Sequence, residues 1–338
     1  MHSFLCIPGD RPAAVAEELD QQISRYRSLT FADTTKRSYT THLTAYLKFC
    51  SSLGQEAEPT DPLLTMRFIA HLAQRLKFTS LSQYINIISL INAELGTQDP
   101  TKTWPVRSLL KGIKRDKGNA VLQKLPITPQ ILLQMRELLK MDKPADAVLW
   151  AALTMAFFTL LRKSNLVPYS PKTFDPQRHP CRGDLSITSG GLTLQVKSSK
   201  TIQYGERHLL LPLPLLQGHP LCPVTAILAV LTLQPDLPPS APLLAYPSPN
   251  GLHLLTQPNL INRLNKLLAA LGLQPHMYGT HSFRRGGATW AFQAGLPGEL
   301  IQTLGDWKSD CYKKYLTFDI DTKFNVMNIF TKDLPKTI

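Results

Sequence analysis

The sequence predicts a mainly α-helical protein of two domains, with a small antiparallel β-sheet in the second. Three observations predict this fold class. Apolar residues recur at helical spacing through most of the chain. A glycine pair, Gly190-Gly191, separates two short alternating segments, which is typical of a hairpin. The basic, glycine-flanked stretch 111–119 separates the helical first part from the rest, and 338 residues suffice for two cores.

In the first part, residues 1–24 are interpreted as a lead-in and 25–117 as a helical domain. Asp61 followed by Pro62 favours a helix start, and Gly96 favours a helix end. The four predicted helices are 34–53, 62–76, 79–96 and 106–115. The basic stretch 111–119 is interpreted either as a solvated interdomain connection or as a segment that lies along phosphates.

The second domain is predicted to cover 125–338, after a linker at 118–124. A helix begins at Thr128-Pro129, and the very apolar helix 145–161 is expected to be buried. Three strands are predicted at 184–188, 192–196 and 208–212, and an irregular surface loop at 235–251, which holds six prolines. Further helices are predicted at about 222–233, 256–270, 280–295, 297–304 and 322–332.

The composition restricts the class of protein and its partners. A formal net charge of +13 and a pI of about 9.5 favour an anionic partner, either nucleic acid or an acidic membrane surface. No apolar stretch approaches the roughly 20 residues that cross a bilayer, and the amino terminus does not resemble a signal peptide. The five cysteines are scattered without a C-x-x-C pair, so we expect neither zinc nor disulfides. We therefore expect a soluble intracellular protein.

The segment 280–290 carries the most chemistry. His281 and Arg284 are three residues apart, so they share one face of a helix. The planar guanidinium can hold two phosphate oxygens, and the imidazole can add a third contact. Gly286 and Gly287 lack bulk and would let another backbone approach closely. The pair by itself is also typical of an ordinary helix start.

Other segments supply further candidates. Arg162 follows a very apolar helix, where a charge is costly unless it is paired or faces a polar cleft. Lys200 lies near a hairpin end, and Lys197 competes with it for the same role. Two tyrosines, Tyr312 and Tyr315, end the segment 304–315. Each of these features also has an ordinary structural explanation.

The order Arg162, Lys200, His281-x-x-Arg284, Trp307, Tyr315 resembles the active site of the tyrosine recombinase family. Two segments, THSFRRGGATWAFQAG and GDWKSDCYKKYL, are most similar to those of recombinases of eukaryotic mobile elements of the Crypton, Ngaro and DIRS type. The resemblance extends over roughly residues 25–333. It implies a helical core-binding, SAM-like domain and an α+β catalytic domain, which together form a C-shaped clamp around DNA.

The resemblance also implies a reaction. Tyr315 would attack a DNA phosphodiester and form a 3′-phosphotyrosyl link, so that neither cofactor nor metal is needed. Arg162 and Arg284 would hold the non-bridging oxygens. Lys200 would protonate the leaving 5′-oxygen, and His281 would assist proton transfer. Trp307, near the position of a second histidine in many relatives, could donate one hydrogen bond to the phosphate.

The implied partners are double-stranded DNA, at element ends and at the target, and further copies of the chain. A tetramer on two duplexes would exchange strands through a Holliday junction, with the tail helix 322–332 docked on a neighbouring protomer. No membrane or small-molecule ligand is expected. The location would be nuclear for a eukaryotic element and otherwise cytoplasmic. The candidate DNA-binding residues are Lys36, Arg37, Lys111, Lys114, Arg115, Lys117 and Arg285.

Two positions depart from the family pattern. Asn165 stands where relatives often have an acid three residues after the first arginine. Trp307 precedes Tyr315 by eight residues where about nine are expected, so Asp306 is the alternative for this position. The alternatives to a recombinase are a type IB topoisomerase and a domesticated DNA-binding protein that no longer cuts. A metal-dependent nuclease is disfavoured because no acidic or Cys/His ligand cluster stands out.

Overall fold

The computed structural model describes residues 12–58, 60–118, 123–202, 207–316 and 324. The chain divides into two compact units, Met1–Leu122 and Gln123–Ile338. Among the described residues both units are mainly helical, and the antiparallel sheets belong to the second, which confirms the predicted fold class. None of the helices in the described part of the chain is long and apolar enough to cross a membrane.

The first unit consists of helices and a short 3-10 turn at Pro100–Lys102. Its helices are α1 (Pro12–Ser28), α2 (Asp33–Ser52), α3 (Pro62–Ala73), α4 (Phe78–Leu95) and α5 (Trp104–Lys117). Asp61 caps α3 as predicted, since its carboxylate accepts a hydrogen bond from the backbone N–H of Leu64 at 2.8 Å. Gly96 ends α4 in a left-handed conformation, with φ of 67°.

Two segments of this unit are more helical than the sequence predicted. Much of the lead-in is helical, because α1 is rich in the strong helix formers Ala, Glu and Gln. The basic stretch 111–119, interpreted as an interdomain connection, is helical as far as Lys117, so the predicted helix 106–115 is longer and the predicted linker 118–124 begins where it ends. The helix ends at Gly118, which takes a positive φ of 69° that other residues rarely adopt. The basic side chains of this stretch are therefore carried on a regular helix.

The core of the first unit lies between α2, α3, α4 and α5. Tyr46 from α2 packs edge-on against Phe68 from α3, with ring centroids 5.1 Å apart. Leu81 and Ile88 from α4 and Val106 from α5 are fully buried around them. Tyr46 and Ile88 belong to the apolar stripes that helical spacing predicted for α2 and α4.

The second unit is built around α7. Its helices are α6 (Pro129–Glu137), α7 (Pro144–Phe158), α8 (Lys163–Leu166), α9 (Pro223–Leu233), α10 (Gln257–Ala270), α11 (His281–Gln293) and α12 (Gly298–Leu304). A 3-10 helix at Asp310–Lys314 follows. Every residue of α7 from Ala147 to Phe157 is buried, as its apolar sequence predicted, and α7 packs against α9 and α11. The predicted helix 322–332 lies outside the described residues, except for Phe324.

Two antiparallel sheets complete this unit. Strands β1 (Leu185–Thr188), β2 (Gly191–Val196) and β3 (Leu209–Pro214) form the predicted sheet in the order β1-β2-β3, with Thr188 paired to Gly191. A second hairpin joins β4 (Ala245–Ser248) and β5 (Gly251–Leu254). The irregular loop predicted at 235–251 therefore contains a strand. The two-stranded hairpin accepts Pro247 because both of its strands are edges, where an N–H need not be donated.

Candidate active site

The helix α11 packs directly on the backbone of its neighbours. A Cβ atom on Gly286 would overlap the carbonyl oxygen of Ile127, and one on Gly287 would overlap that of Phe157. The N–H of Ile127 donates to the carbonyl oxygen of Ser282 at 2.9 Å. The prediction that the small residues of this helix allow a close backbone approach is confirmed. This packing brings the amino-terminal end of α11 to the end of α7.

Arg284 is the buried centre of the site, with 2% of its surface exposed. One terminal nitrogen donates to the carbonyl oxygen of Leu160, and the other donates to that of Gly305 at 2.5 Å. Leu160 and Asp306 are the two non-glycine residues with positive φ in the described part of the chain, at 54° and 50°. Backbone strain of this kind persists where the surrounding structure enforces it. Here the two strained residues lie at, or directly after, the carbonyl groups that bind the guanidinium of Arg284.

The guanidinium of Arg284 also lies against aromatic rings. Its central carbon is 3.9 Å from the ring centroid of Trp307 and 5.4 Å from that of Tyr315. Burial lowers the pKa of Arg284 to about 10, and the positive charge of Arg162 adds to this effect, while Tyr315 opposes it. A buried arginine whose charged form is disfavoured by its surroundings indicates a place where an anion would be stabilised.

Two buried donors of this cluster have no partner in the described part of the chain. They are Nε of Arg284 and the indole Nε1 of Trp307. A buried donor without an acceptor costs roughly 1–3 kcal/mol, and the cost is relieved when an acceptor arrives. Because these N–H groups belong to side chains in van der Waals contact, they favour a ligand that offers several oxygens.

Tyr315 lies among the charged and aromatic groups of the site. Its ring centroid is 5.2 Å from that of Trp307 and 6.3 Å from that of His281. The guanidinium carbon of Arg285 lies 6.0 Å from the same ring. The tyrosine is half-buried, and it follows the 3-10 helix that leads out of α12.

Tyr312 occupies a different environment. It is 7% exposed and belongs to a small apolar cluster with Ile301 and Trp307. Its hydroxyl group packs so closely on Gly298 that a Cβ there would overlap it. Of the two tyrosines that the sequence left in competition, Tyr315 is the one that the fold places beside the arginines and the histidine.

His281 lies at the first position of α11 and is exposed. Reduced solvation of its ring lowers the pKa of His281, and the positive charges of nearby arginines lower it further. The charged neighbours that act on it are Arg284, Arg162, Lys163 and Arg285. The ring is therefore held neutral at pH values where an isolated histidine would be partly protonated.

Arg162 and Lys200 approach the same region from other elements. Arg162 is half-buried at the start of α8 and lines a small cavity together with Ser199, Arg284 and Asp306. Lys200 is exposed, in the turn that the residues Ser199 and Ile202 close by pairing. The sheet therefore presents Lys200 from a turn beyond β2, which is the position that the sequence predicted.

Lys197, the competing lysine, is engaged elsewhere. Its ammonium group lies 2.8 Å from a carboxylate oxygen of Asp184, and the two side chains are only 20% and 10% exposed. Asp184 also accepts a hydrogen bond from the backbone N–H of Cys181 at 2.8 Å. A lysine in such a buried pair is not available to a substrate, because leaving the pair would strand a buried carboxylate.

Asp306 and Trp307 face different groups. One carboxylate oxygen of Asp306 accepts hydrogen bonds from the hydroxyls of Ser199, at 3.1 Å, and Thr201. The other is paired with Arg207. Trp307 instead packs on Arg284. The sequence treated the two positions as alternatives for one role, whereas the structure assigns them different contacts.

Some functional contacts were not foreseen. Asn165 donates from its side-chain amide to the carbonyl oxygen of Ser198 at 2.8 Å, so it contacts the turn that carries Lys200. Arg207 had no signal in the sequence that linked it to Asp306. Arg285, predicted only as a DNA-binding residue, lies beside Tyr315 and donates to the carbonyl oxygen of Lys314 at 2.8 Å.

The remaining candidate DNA-binding residues belong to the first unit and are all exposed. They are Lys36 and Arg37 on α2 and Lys111, Lys114, Arg115 and Lys117 on α5. Around the active site, and in the rest of the described chain, no group of three or more His, Cys, Asp or Glu side chains could hold a metal ion.

No family model matches this chain. It is 26% identical over 305 residues to an integrase/recombinase xerD homolog of Selenomonas ruminantium, a similarity that covers 87% of this chain and 84% of that protein.

Three solved structures with the same fold are a site-specific recombinase and two integrases. The XerH recombinase in a post-cleavage complex with its palindromic difH substrate has a TM-score of 0.59 at 16% identity, over 87% of this chain and 79% of that one. The Tn1549 transposon integrase, in complex with transposon right end DNA, has a TM-score of 0.57 at 13% identity over 93% and 98%. A lambda integrase tetramer bound to a Holliday junction has a TM-score of 0.57 at 16% identity over 90% and 77%.

Proposed function

The chain has the fold of the tyrosine recombinase and integrase family, and from this premise we propose that it cuts and rejoins DNA through a covalent link to Tyr315. One observation carries the proposal. Arg284 and Trp307 each keep a buried donor without an acceptor, and Tyr315 lies against both side chains. A DNA phosphodiester would supply oxygens to these donors and a phosphorus atom to the tyrosine hydroxyl.

The reaction conserves bonds, which is why no energy source is required. The hydroxyl oxygen of Tyr315 attacks phosphorus and forms a phosphotyrosyl bond to the 3′ end, while the bond from phosphorus to the 5′-oxygen breaks. The tyrosine proton leaves through the neutral imidazole of His281, and Lys200 gives a proton to the departing 5′-oxygen. Rejoining is the reverse sequence with a 5′-hydroxyl of another strand, and we propose that no metal takes part.

Arg162 and Arg284 stabilise the negative charge of the phosphate. Arg162 and Arg284 lie close enough for the charge of one to lower the pKa of the other, and this mutual repulsion would be relieved by the phosphate. As the pentavalent transition state forms, charge grows on the non-bridging oxygens, and two preorganised guanidinium groups stabilise it more than they stabilise the ground state.

A second, more specific proposal concerns the biological role and the assembly of the protein. We propose a site-specific recombinase of a mobile element, which acts as a tetramer that clamps two duplexes and passes through a Holliday junction. The Tn1549 integrase with transposon DNA and the lambda integrase tetramer on a Holliday junction support this proposal by likeness of fold. We propose an affiliation with Crypton, Ngaro or DIRS elements because of the amino-acid sequences of segments 280–295 and 305–316. A nuclear location would follow from that affiliation.

A covalent-trapping assay tests the proposal. The full chain is incubated with nicked duplexes of candidate element ends, in the presence of a chelator, so that the cleaved strand diffuses away and the adduct accumulates. The wild-type protein should give a protein–DNA adduct, and Tyr315→Phe should give none while it still binds the duplex. Tyr312→Phe is the matched control and should keep the adduct, because its hydroxyl packs on Gly298. An undiminished adduct in Tyr315→Phe would overturn the assignment.

A further inference from the structure

The turn that carries Lys200 is held by the segment that follows α12. We propose that Asp306 is a positioning residue for Lys200, whose carboxylate holds this turn so that the ammonium group reaches the leaving 5′-oxygen. The inference rests on the proposed function, because it concerns the general acid of that reaction. It assigns to Asp306 a role other than contact with the phosphate.

Asp306 contacts the residues on both sides of Lys200. One of its carboxylate oxygens accepts hydrogen bonds from the hydroxyl groups of Ser199 and Thr201. These two hydroxyls are themselves 2.7 Å apart, and Ser199 and Ile202 exchange backbone hydrogen bonds of 3.1 Å in each direction. The turn is thus a closed unit with Lys200 exposed at its tip, and Asp306 anchors it at two points.

The remaining oxygen of Asp306 is paired with Arg207 at the far end of the same segment. The carboxylate is 9% exposed, and both of its oxygens have donors from 199–207. An unpaired carboxylate beside a phosphate site would repel the substrate, and a buried one would be costly. Here two hydroxyl groups and one guanidinium group bind the carboxylate, so that Asp306 can hold the turn without repelling the DNA phosphate.

A second contact holds the turn from another element. The side-chain amide of Asn165, which follows Arg162 on α8, donates to the carbonyl oxygen of Ser198 at 2.8 Å. Asn165 is 8% exposed. The turn is therefore fixed at Ser198 from the side of Arg162, and at Ser199 and Thr201 from the side of Trp307 and Tyr315. Asn165 and Asp306, the two positions that depart from the family pattern, therefore contact the same turn.

The consequence for the reaction follows from the geometry of proton transfer. A long lysine side chain on an unrestrained turn would occupy many positions, and a displacement of about 1 Å from the productive geometry can cost on the order of 10²-fold in rate. Loss of the anchor should therefore slow only the step in which the 5′-oxygen needs a proton. Attack by Tyr315 and binding by the arginines should be spared.

The test compares two substrates. One is a nicked duplex with an ordinary phosphodiester, and the other has sulfur in place of the bridging 5′-oxygen, which leaves as a thiolate without a proton. Asp306→Ala should slow adduct formation on the ordinary duplex by about 10- to 100-fold and leave the sulfur duplex close to the wild-type rate. Lys200→Ala removes the general acid itself and provides the reference result, which is slow adduct formation on the ordinary duplex and a normal rate on the sulfur duplex. Asp310→Ala, which removes an exposed acid of the same segment, is the matched control and should change neither rate.

Further variants keep the test decisive if Asp306→Ala does not fold. Asp306→Asn keeps an oxygen acceptor and tolerates the positive φ, so it should show a smaller loss with the same rescue by sulfur. Asn165→Ala should show that rescue as well. Equal losses on both substrates, or no loss on either, would overturn the role of Asp306. A wild-type protein that forms no adduct with either substrate would instead overturn the proposed function.

Discussion

Arg284 joins three separate segments of the second unit. It donates to the carbonyl oxygen of Leu160, at the end of α7, and to that of Gly305, at the end of α12, from its own place on α11. A residue with these contacts has both a structural and a chemical role. Its Nε, which has no acceptor among the described residues, belongs to the guanidinium group that packs on Trp307 and Tyr315.

We expect the titration of His281 to determine how the rate of cleavage depends on pH. Its pKa is lowered from the usual value of about 6.5, so the neutral ring that accepts a proton persists until the pH falls below the lowered value. The rate of adduct formation in single-turnover experiments should therefore decline on the acid side with a midpoint below about pH 6.5. His281→Gln, which cannot titrate, should be slower and should lack this decline. A midpoint at or above the usual value would contradict the role given to this residue.

At the scale of elements, α11 positions the site by contact between backbones. Gly286→Ala should destabilise the second unit by roughly 1–3 kcal/mol, because a Cβ would overlap the carbonyl oxygen of Ile127 and force the helix away from it. Thermal unfolding measures the loss. The displaced helix carries Arg284, so adduct formation should fall as well.

A glycine of the first unit provides the matched control. Gly112 also lies within a helix, but no atom lies within 4 Å of where its Cβ would be. Gly112→Ala should stabilise the protein by about 0.5–1 kcal/mol, since alanine loses less conformational freedom in a helix than glycine does. If Gly286→Ala behaved like Gly112→Ala, the close packing of α11 would not be a determinant of the fold.

At the scale of the whole molecule, the net charge of +13 and the exposed basic side chains of α5 concern the affinity for DNA. Affinity should fall steeply with salt because phosphate contacts release counterions. Replacing Lys111, Lys114 and Lys117 with alanine should reduce the slope of log K against log salt by about 2 to 3, if each lysine contacts one phosphate. Filter binding or fluorescence anisotropy over a range of salt concentrations measures this slope.

The control changes the same three residues to arginine, which keeps the charge and should keep the slope. An unchanged slope in the alanine variant would mean that α5 does not contact the phosphates. Because Tyr315 and Arg284 belong to the other unit, the alanine variant should still form the adduct once the DNA concentration is high enough to saturate it. A loss that saturation does not restore would contradict the assignment of α5 to binding alone.

Local patterns of the sequence determined the elements and the members of the site. Apolar spacing predicted α2, α4 and α7, and the glycine pair predicted the β1–β2 hairpin, because helical and strand periodicities depend on residues a few positions apart. The order from Arg162 to Tyr315 suggested the chemistry. The patterns failed where packing or regular structure overrode composition, at the proline-rich segment that contains β4 and at the basic segment that extends α5 to Lys117.

The tertiary structure gives different surroundings to residues that look alike in sequence. Tyr312 and Tyr315, or Lys197 and Lys200, have similar local sequences, and what separates them is Gly298 under one tyrosine and Asp184 beside one lysine. Asp306 contacts Ser199 and Thr201 across more than a hundred residues. Such partners are set by how the elements pack, so a short motif contains no information about them. The sequence by itself determined which residues could take part, and the packing decided which of them meet.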